Sequence, residues 1–194
     1  ICFGRANMSS ALMGACAERG VTAAFFTENG KFLARIEGPV AGNVLLRREQ
    51  YRRSDAPSEC GAIVSAIVAA KAQNQRTVLK RAIRDHGAEL AEADRARIDT
   101  AQTRLRDIAR RALHLGDTDQ LRGLEGEAAQ RYFDVFALMQ RTDEAALRFT
   151  RRSRRPPLDP INALLSFLYT LLTHDCRSAL EGVGLDPAVG FLHR

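Results

Sequence analysis

The sequence predicts an α+β protein, a truncated N-terminal β-domain followed by a C-terminal all-helical domain, and two observations carry that prediction. Apolar runs flank Asn29-Gly30 on both sides, which is a strand-turn-strand pattern. From Asn43 the apolar spacing takes up a helical period and keeps it. The expected boundaries are 1–42 for the β-domain, 43–58 for a connecting helix and linker, and 59–194 for the helical domain, which reads as incomplete at its C-terminus.

Taken in order, "SSALMGACAERG" (9–20) has a serine cap and a terminal glycine that frame a short helix. "VTAAFFTENGKFLARIEGP" reads as two strands joined at Asn29-Gly30, where both residues tolerate positive φ. Two strands seldom stand alone, so further strands are expected before Ile1. "NVLLRREQYRR" is a short amphipathic helix, and "SDAPSEC" a linker around Pro57. The next helix, ending at His86-Gly87, is expected to bury Ile63, Ile67, Ala70, Asn74, Val78 and Ile83. A charged helix over about 89–113 carries Leu90, Ile98, Leu105, Ile108 and Leu113 as its seam. The helix over about 118–139 is capped by Asp117 or Thr118 and buries Leu121, Leu124, Ala128, Tyr132, Val135 and Met139. After a long connection from Gln140 to Leu158, a last helix opens at Asp159-Pro160, a capping residue followed by proline at the first helical position. Its expected buried stripe is Ile161, Leu164, Leu165, Leu168, Leu172, Cys176, Ala179, Leu180 and Val183.

Charge narrows the partners. Lys and Arg number 29 against 23 Asp and Glu, a net +6 with pI near 9.6, which favours a polyanion. Cys2, Cys16, Cys60 and Cys176 form no C-x-x-C pair, so zinc-knuckle and dithiol chemistry are not indicated and free thiols in a cytoplasmic setting are expected. The apolar run "ALLSFLYTLL" (163–172) is too short to cross a bilayer as a helix. The chain opens "ICFGRANM", without an initiator methionine or a signal-like segment, and reads as cut at both ends.

Three features could carry chemistry. Glu125, in "RGLEGEAAQRYF", projects within about 40° of Leu121, Ala129 and Tyr132, toward the inner edge of its helix, whereas Glu127 points away. Gly126 costs a helix interior roughly 1 kcal/mol relative to Ala, and close approach of a backbone, a metal or a ligand would account for it. A half-buried Glu paired with an Arg, beside a glycine that permits helix packing, accounts for the same pattern. The connection "QRTDEAALRFTRRSRRPPLDP" gathers Arg141, Arg148, Arg151, Arg152, Arg154 and Arg155 around Phe149. Their planar forks suit phosphate, and a solvated charge run is the alternative. On the last helix Asn162, Ser166, Tyr169, Thr173 and Arg177 share a sector of about 80°, which suits either a polar cleft or bonds to neighbouring helices.

The segments "GLEGEAAQRYF", "RRSRRPPLDPINALLSFLYTLL" and "LEGVGLDPAVGFLH", in that order, resemble the CRISPR-associated integrase family, the Cas1 adaptation nucleases. "FGR…SSALMGACAERGV" and "GKFLARIEGPVAGNVLLRREQYR" are similar to that family's β-domain and its junction with the helical domain. The resemblance implies an endonuclease/integrase that inserts short double-stranded DNA fragments into the CRISPR repeat array by attack of a 3′-hydroxyl. It implies a homodimer that joins a small second adaptation protein, Cas2. It implies Mg²⁺ or Mn²⁺ held by a Glu, a His and an Asp. Glu125 and His193 match the first two positions and so become the candidate catalytic and metal residues, while the Asp would lie beyond the histidine, outside this chain. Arg151, Arg152, Arg154 and Arg155 are then expected on the DNA backbone, with Asn162 and Tyr169 on the substrate-facing wall. Lacking one anionic ligand, the 194-residue chain by itself is expected to be inactive or nearly so. A DNA-binding or scaffold protein with the same fold and no catalysis is the other class these residues allow.

Overall fold

The structure, a computed structural model, describes residues 1–39, 42–142 and 144–193. The residues group into two compact units that do not follow chain order: Ile1–Tyr51 with Phe167–Val189, and Arg52–Ser166 with the residues from Gly190 onward.

The first unit holds a three-stranded sheet, β1 (Cys2–Phe3), β2 (Ala23–Phe26) and β3 (Phe32–Ile36), with β2 in the middle. β1 runs parallel to β2 and β3 antiparallel to it. The expected hairpin forms, with a three-residue turn: Thr27 and Lys31 pair, and Gly30 takes φ +77° as the Gly30 N–H donates to the Thr27 carbonyl. Asn29 uses no positive φ. β1, too short to show a period, was not expected. Helix α1 (Ser10–Glu18) opens on Ser9, whose hydroxyl accepts from the Leu12 N–H at 3.2 Å.

Phe3, Phe26 and Phe32 collect on the sheet, and the C-terminal half of the last helix, α6 (Pro160–Gly182), packs there through Phe167 and His174. The His174 ring lies 4.1 Å from the centroid of Phe32 and 5.5 Å from that of Phe26. Burial, helped by Arg177 and Arg35, keeps this imidazole's pKa below its ordinary value. Arg35 of β3 pairs with Glu181. The face of α6 that packs in this unit thus contains Phe167, His174 and Glu181, and the leucine stripe expected inside is turned out: Leu164, Leu168, Leu172 and Val183 are each at least half exposed. Ring stacking and an ion pair set the rotation of this helix.

The second unit is a bundle of α3 (Pro57–His86), α4 (Glu92–Ala112) and α5 (Thr118–Phe133). Pro57 begins α3 instead of interrupting a linker, because a proline at the first helical position lacks only an N–H that would have no helical partner. Helix α2 (Val44–Asp55) therefore meets it with Ala56 alone between them. The core contains Val64, Val68, Ala69, Ala72 and Leu79 from α3, Ile98, Ala101, Leu105, Ile108 and Ala112 from α4, Leu121, Leu124 and Ala128 from α5, and Val135 just past it. The α5 seam agrees with the spacing, and so does that of α4 at Ile98, Leu105 and Ile108, whereas Leu113, past the end of the helix, is exposed. The α3 seam is turned by one residue, leaving Ile67 and Val78 exposed. At Gly61 a side chain would stand 1.9 Å from the Gly116 carbonyl, so the missing side chain lets α3 touch the turn before α5. The Asp117 side chain caps α5 by accepting from the Gln120 N–H at 2.7 Å. Helix α5 ends at Phe133, and Phe136–Met139 continues as a 3₁₀ turn. Among the described residues no helix is long and apolar enough to cross a membrane.

Candidate metal and nucleic-acid site

Two carboxylates two residues apart lie on opposite flanks of α5. Glu125 faces α3, where its carboxylate pairs with the Lys71 ammonium; its side chain is 21% exposed and that of Lys71 42%. The expected cation was an arginine. Glu127, expected to point away, is 23% exposed and accepts from Arg104 Nε of α4 at 2.6 Å, with Arg131 Nε of its own helix at 3.9 Å. It is covered because α5 packs on α4 as well as on α3, so both edges of its polar face are interior edges. A side chain at Gly126, between them, would meet nothing within 4 Å. Protein packing therefore does not require the glycine.

His193 is exposed, but the segment bearing it is tied down within the same unit. Phe191 and Leu192 pack against the bundle core. Arg122, one helical turn before Glu125, donates from a guanidinium nitrogen to the Leu192 carbonyl at 2.8 Å and is itself paired with Asp119. One residue past that carbonyl stands His193. A cation-bearing carboxylate and an exposed imidazole are an oxygen and a nitrogen donor that suit two positions of a Mg²⁺ or Mn²⁺ site. Among the described residues no group of three or more His, Cys, Asp or Glu is assembled for a metal.

In the first unit the segment leading toward His193 is held by one face of α2, through residues spaced at i, i+4, i+7 and i+8. Asn43 Nδ2 donates to the Val183 carbonyl at 3.2 Å and Arg47 Nε to that of Gly184 at 3.0 Å. Gln50 is buried and bonds both main-chain groups of Asp186, each at 2.8 Å. Tyr51 donates its hydroxyl to the Asp186 carboxylate, which also accepts from the Ala188 N–H at 2.8 Å. These two bonds, the tyrosine's first, hold the Asp186 pKa below the ordinary carboxylate value, and the same contact raises that of Tyr51. The spacing in "NVLLRREQY" was the available signal for this face, but it names no partner.

The arginine connection is a shaped loop. Phe149 is buried against Phe133 and Phe136, with ring centroids 6.0 and 4.8 Å away, and its N–H donates to Gln140 Oε1 at 2.8 Å. Asn162, expected on a substrate-facing wall, is instead fully buried. Its Oδ1 accepts from Arg152 at 2.7 Å and from the Ser153 N–H at 2.9 Å, while Nδ2 donates to the Arg151 carbonyl at 2.8 Å and to the Asp159 carboxylate at 2.6 Å. With both ends of its amide committed to the loop, this residue shapes the arginine run and has no atom left for DNA. Arg152 turns inward with it, its guanidinium 6.0 Å from the Phe133 ring centroid. Arg148, Arg151, Arg154 and Arg155 remain exposed. Arg141 pairs with Glu89 at 2.5 Å. Tyr169 lies in the other unit, nearly half exposed.

Comparison with known proteins bears on the whole chain. The sequence profile of the family "CRISPR associated protein Cas1" matches residues 1–194. The CRISPR-associated endonuclease Cas1 2 of Rhodospirillum rubrum is 55% identical over 195 residues, an alignment that covers 100% of this chain and 56% of that protein. The chain thus spans about half the length of the curated relatives it matches. Among solved structures, a chain of a Cas6-RT-Cas1–Cas2 complex superposes with a TM-score of 0.72 at 25% identity, covering 100% of this chain and 20% of that one. A casposase bound to integration product shares the fold, with a TM-score of 0.72 at 24% identity over 97% of this chain and 50% of that one. A three-stranded sheet with its helix, a helical bundle, and a profile match from the first residue to the last identify the chain as a member of the Cas1 family.

Proposed function

We propose that these residues form part of a Cas1 endonuclease/integrase of CRISPR adaptation, which acts in the cytoplasm as a homodimer with Cas2 and inserts short double-stranded DNA fragments into the CRISPR array. The single observation that carries the catalytic part is the Arg122 bond to the Leu192 carbonyl, which ties the His193 segment to the helix that bears Glu125. In this reading Glu125 supplies an oxygen and His193 a nitrogen to Mg²⁺ or Mn²⁺, and an aspartate beyond this chain completes the set. The ion, when bound, offsets charge on the attacking and leaving oxygens.

The chain's own residues bind and orient. The nucleophile is the incoming DNA end, whose 3′-hydroxyl forms a bond to the phosphorus while the strand's own 3′ oxygen leaves, so neither Glu125 nor His193 attacks. Arg151, Arg154 and Arg155 take the DNA backbone, the guanidinium fork matching phosphate oxygens. Arg152 and Asn162 act one step back, by fixing the loop that presents them. Tyr169 remains a substrate-facing candidate. Residues 1–42 are assigned to the β-domain, 43–58 to the connection and 59–194 to the helical catalytic domain. The 194 residues alone, with two of three ligands, are expected to integrate DNA little or not at all.

A strand-transfer assay on the whole protein with Cas2 tests this. Glu125→Gln should lower integration at least a hundredfold while DNA binding stays, and the triple change Arg151→Ala, Arg154→Ala, Arg155→Ala should weaken binding and flatten its salt dependence. Integration undiminished in Glu125→Gln refutes the ligand assignment, and an unchanged salt slope refutes the arginine track.

A further inference from the structure

The cation on Glu125 has no place in the mechanism above. Lys71 lies on α3, 54 positions before Glu125, and its ammonium sits on the carboxylate that the metal reading assigns to a divalent ion. Among the described residues it is the one cation paired with Glu125. We propose that Lys71 is a displaceable counter-ion of the metal site: it occupies Glu125 in competition with the divalent cation and thereby sets the metal concentration at which the site fills. The inference rests on the reading of Glu125 as a metal ligand.

Three features favour exchange over a permanent tie. An ammonium is a compact, strongly hydrated point charge on a flexible stem, and with 42% of the side chain exposed Lys71 can withdraw to water without crossing protein. Glu125 is covered enough that losing every cation would be costly, so some positive group must hold it. Glu127 supplies the internal contrast: two guanidinium groups approach it, one from a neighbouring helix and one from its own.

The test is Mn²⁺ titration of the whole protein, which supplies the third ligand, with free Mn²⁺ read by electron paramagnetic resonance and each variant's fold checked by circular dichroism. Lys71→Met and Lys71→Gln should bind Mn²⁺ roughly fivefold tighter than the parent, the factor that about 1 kcal/mol of released ion-pair energy would give. Lys71→Arg, which keeps the charge and adds a fork, should bind no tighter than the parent, and Glu125→Gln should bind weaker. A purely structural ion pair would change thermal stability without this order of affinities. Unchanged or weaker Mn²⁺ binding in both neutral variants, with Glu125→Gln still lowering it, overturns the competition and leaves the metal reading intact. Should neither neutral variant fold, tighter binding by Lys71→Arg overturns it. Mn²⁺ affinity indifferent to Glu125→Gln, or absent from every variant, overturns the metal reading and this inference together.

Discussion

The α3-facing and α4-facing flanks of α5 present nearly the same carboxylate, 21% and 23% exposed, two residues apart. Their surroundings make them different in kind. On the α4 flank Arg104 and Arg131 converge on Glu127, and the Arg104 pair ties α4 to α5. On the α3 flank a single lysine holds Glu125, the His193 segment is anchored one turn away through Arg122, and α3 comes close only because Gly61 has no side chain. A carboxylate's counter-ion, more than its burial, separates a strut from an exchangeable ligand.

The contrast can be broken most severely at Gly61. In Gly61→Ala the new Cβ would stand 1.9 Å from the Gly116 carbonyl, a backbone atom, so α3 must move off the turn that starts α5. The expected loss is about 2–4 kcal/mol, a fall of roughly 10 °C in Tm, readable by calorimetry. A Tm within 2 °C or so of the parent would mean the α3 flank yields readily. The next change sharpens the contrast instead: Arg104→Ala should lower Tm by only about 1–3 °C, because the pair is part exposed, and should leave Mn²⁺ affinity at the parent value. An affinity shift would show that the flanks are coupled through α5. The smallest effect belongs to Gly126→Ala. With open space around it, alanine should stabilise the isolated chain by up to about 1 kcal/mol through helix propensity. In the whole protein the same change should cost integration if that space is used by DNA or by the rest of the site, and a strand-transfer assay reads the difference.

How far these arrangements were legible depends on how each is stabilised. Elements set by local chemistry read off directly: the Ser9 and Asp117 caps, Pro160 at a first helical position, and Gly30 in the hairpin, whereas Pro57, expected in a linker, opens α3. The faces of α3 and α6 did not. Both helices carry apolar residues at two angles, so Ile67 and Val78 compete with Val68 and Leu79, and the leucine stripe competes with a face whose contacts are ring stacks and an ion pair. Glu125 stood out because its angle and the adjacent glycine are local facts. Lys71 is silent in sequence, one more basic residue on a helix edge. Asn162 was visible as a polar residue in an apolar helix, but its four bonds run back to the preceding loop, and periodicity describes one helix at a time.

The grip of α2 on residues 183–186 has one more implication. Asn43, Arg47 and Gln50 hold the carbonyls of Val183, Gly184 and Asp186 and the N–H of Asp186, all of them atoms that every residue possesses. Such a grip measures chain length and ignores spelling. Between Val183 and Asp186 the count of residues is therefore held more strictly than the side chain of Leu185: an insertion or deletion there would put the main-chain groups out of step with Asn43, Arg47 and Gln50, where a substitution at Leu185 would leave each bond in place.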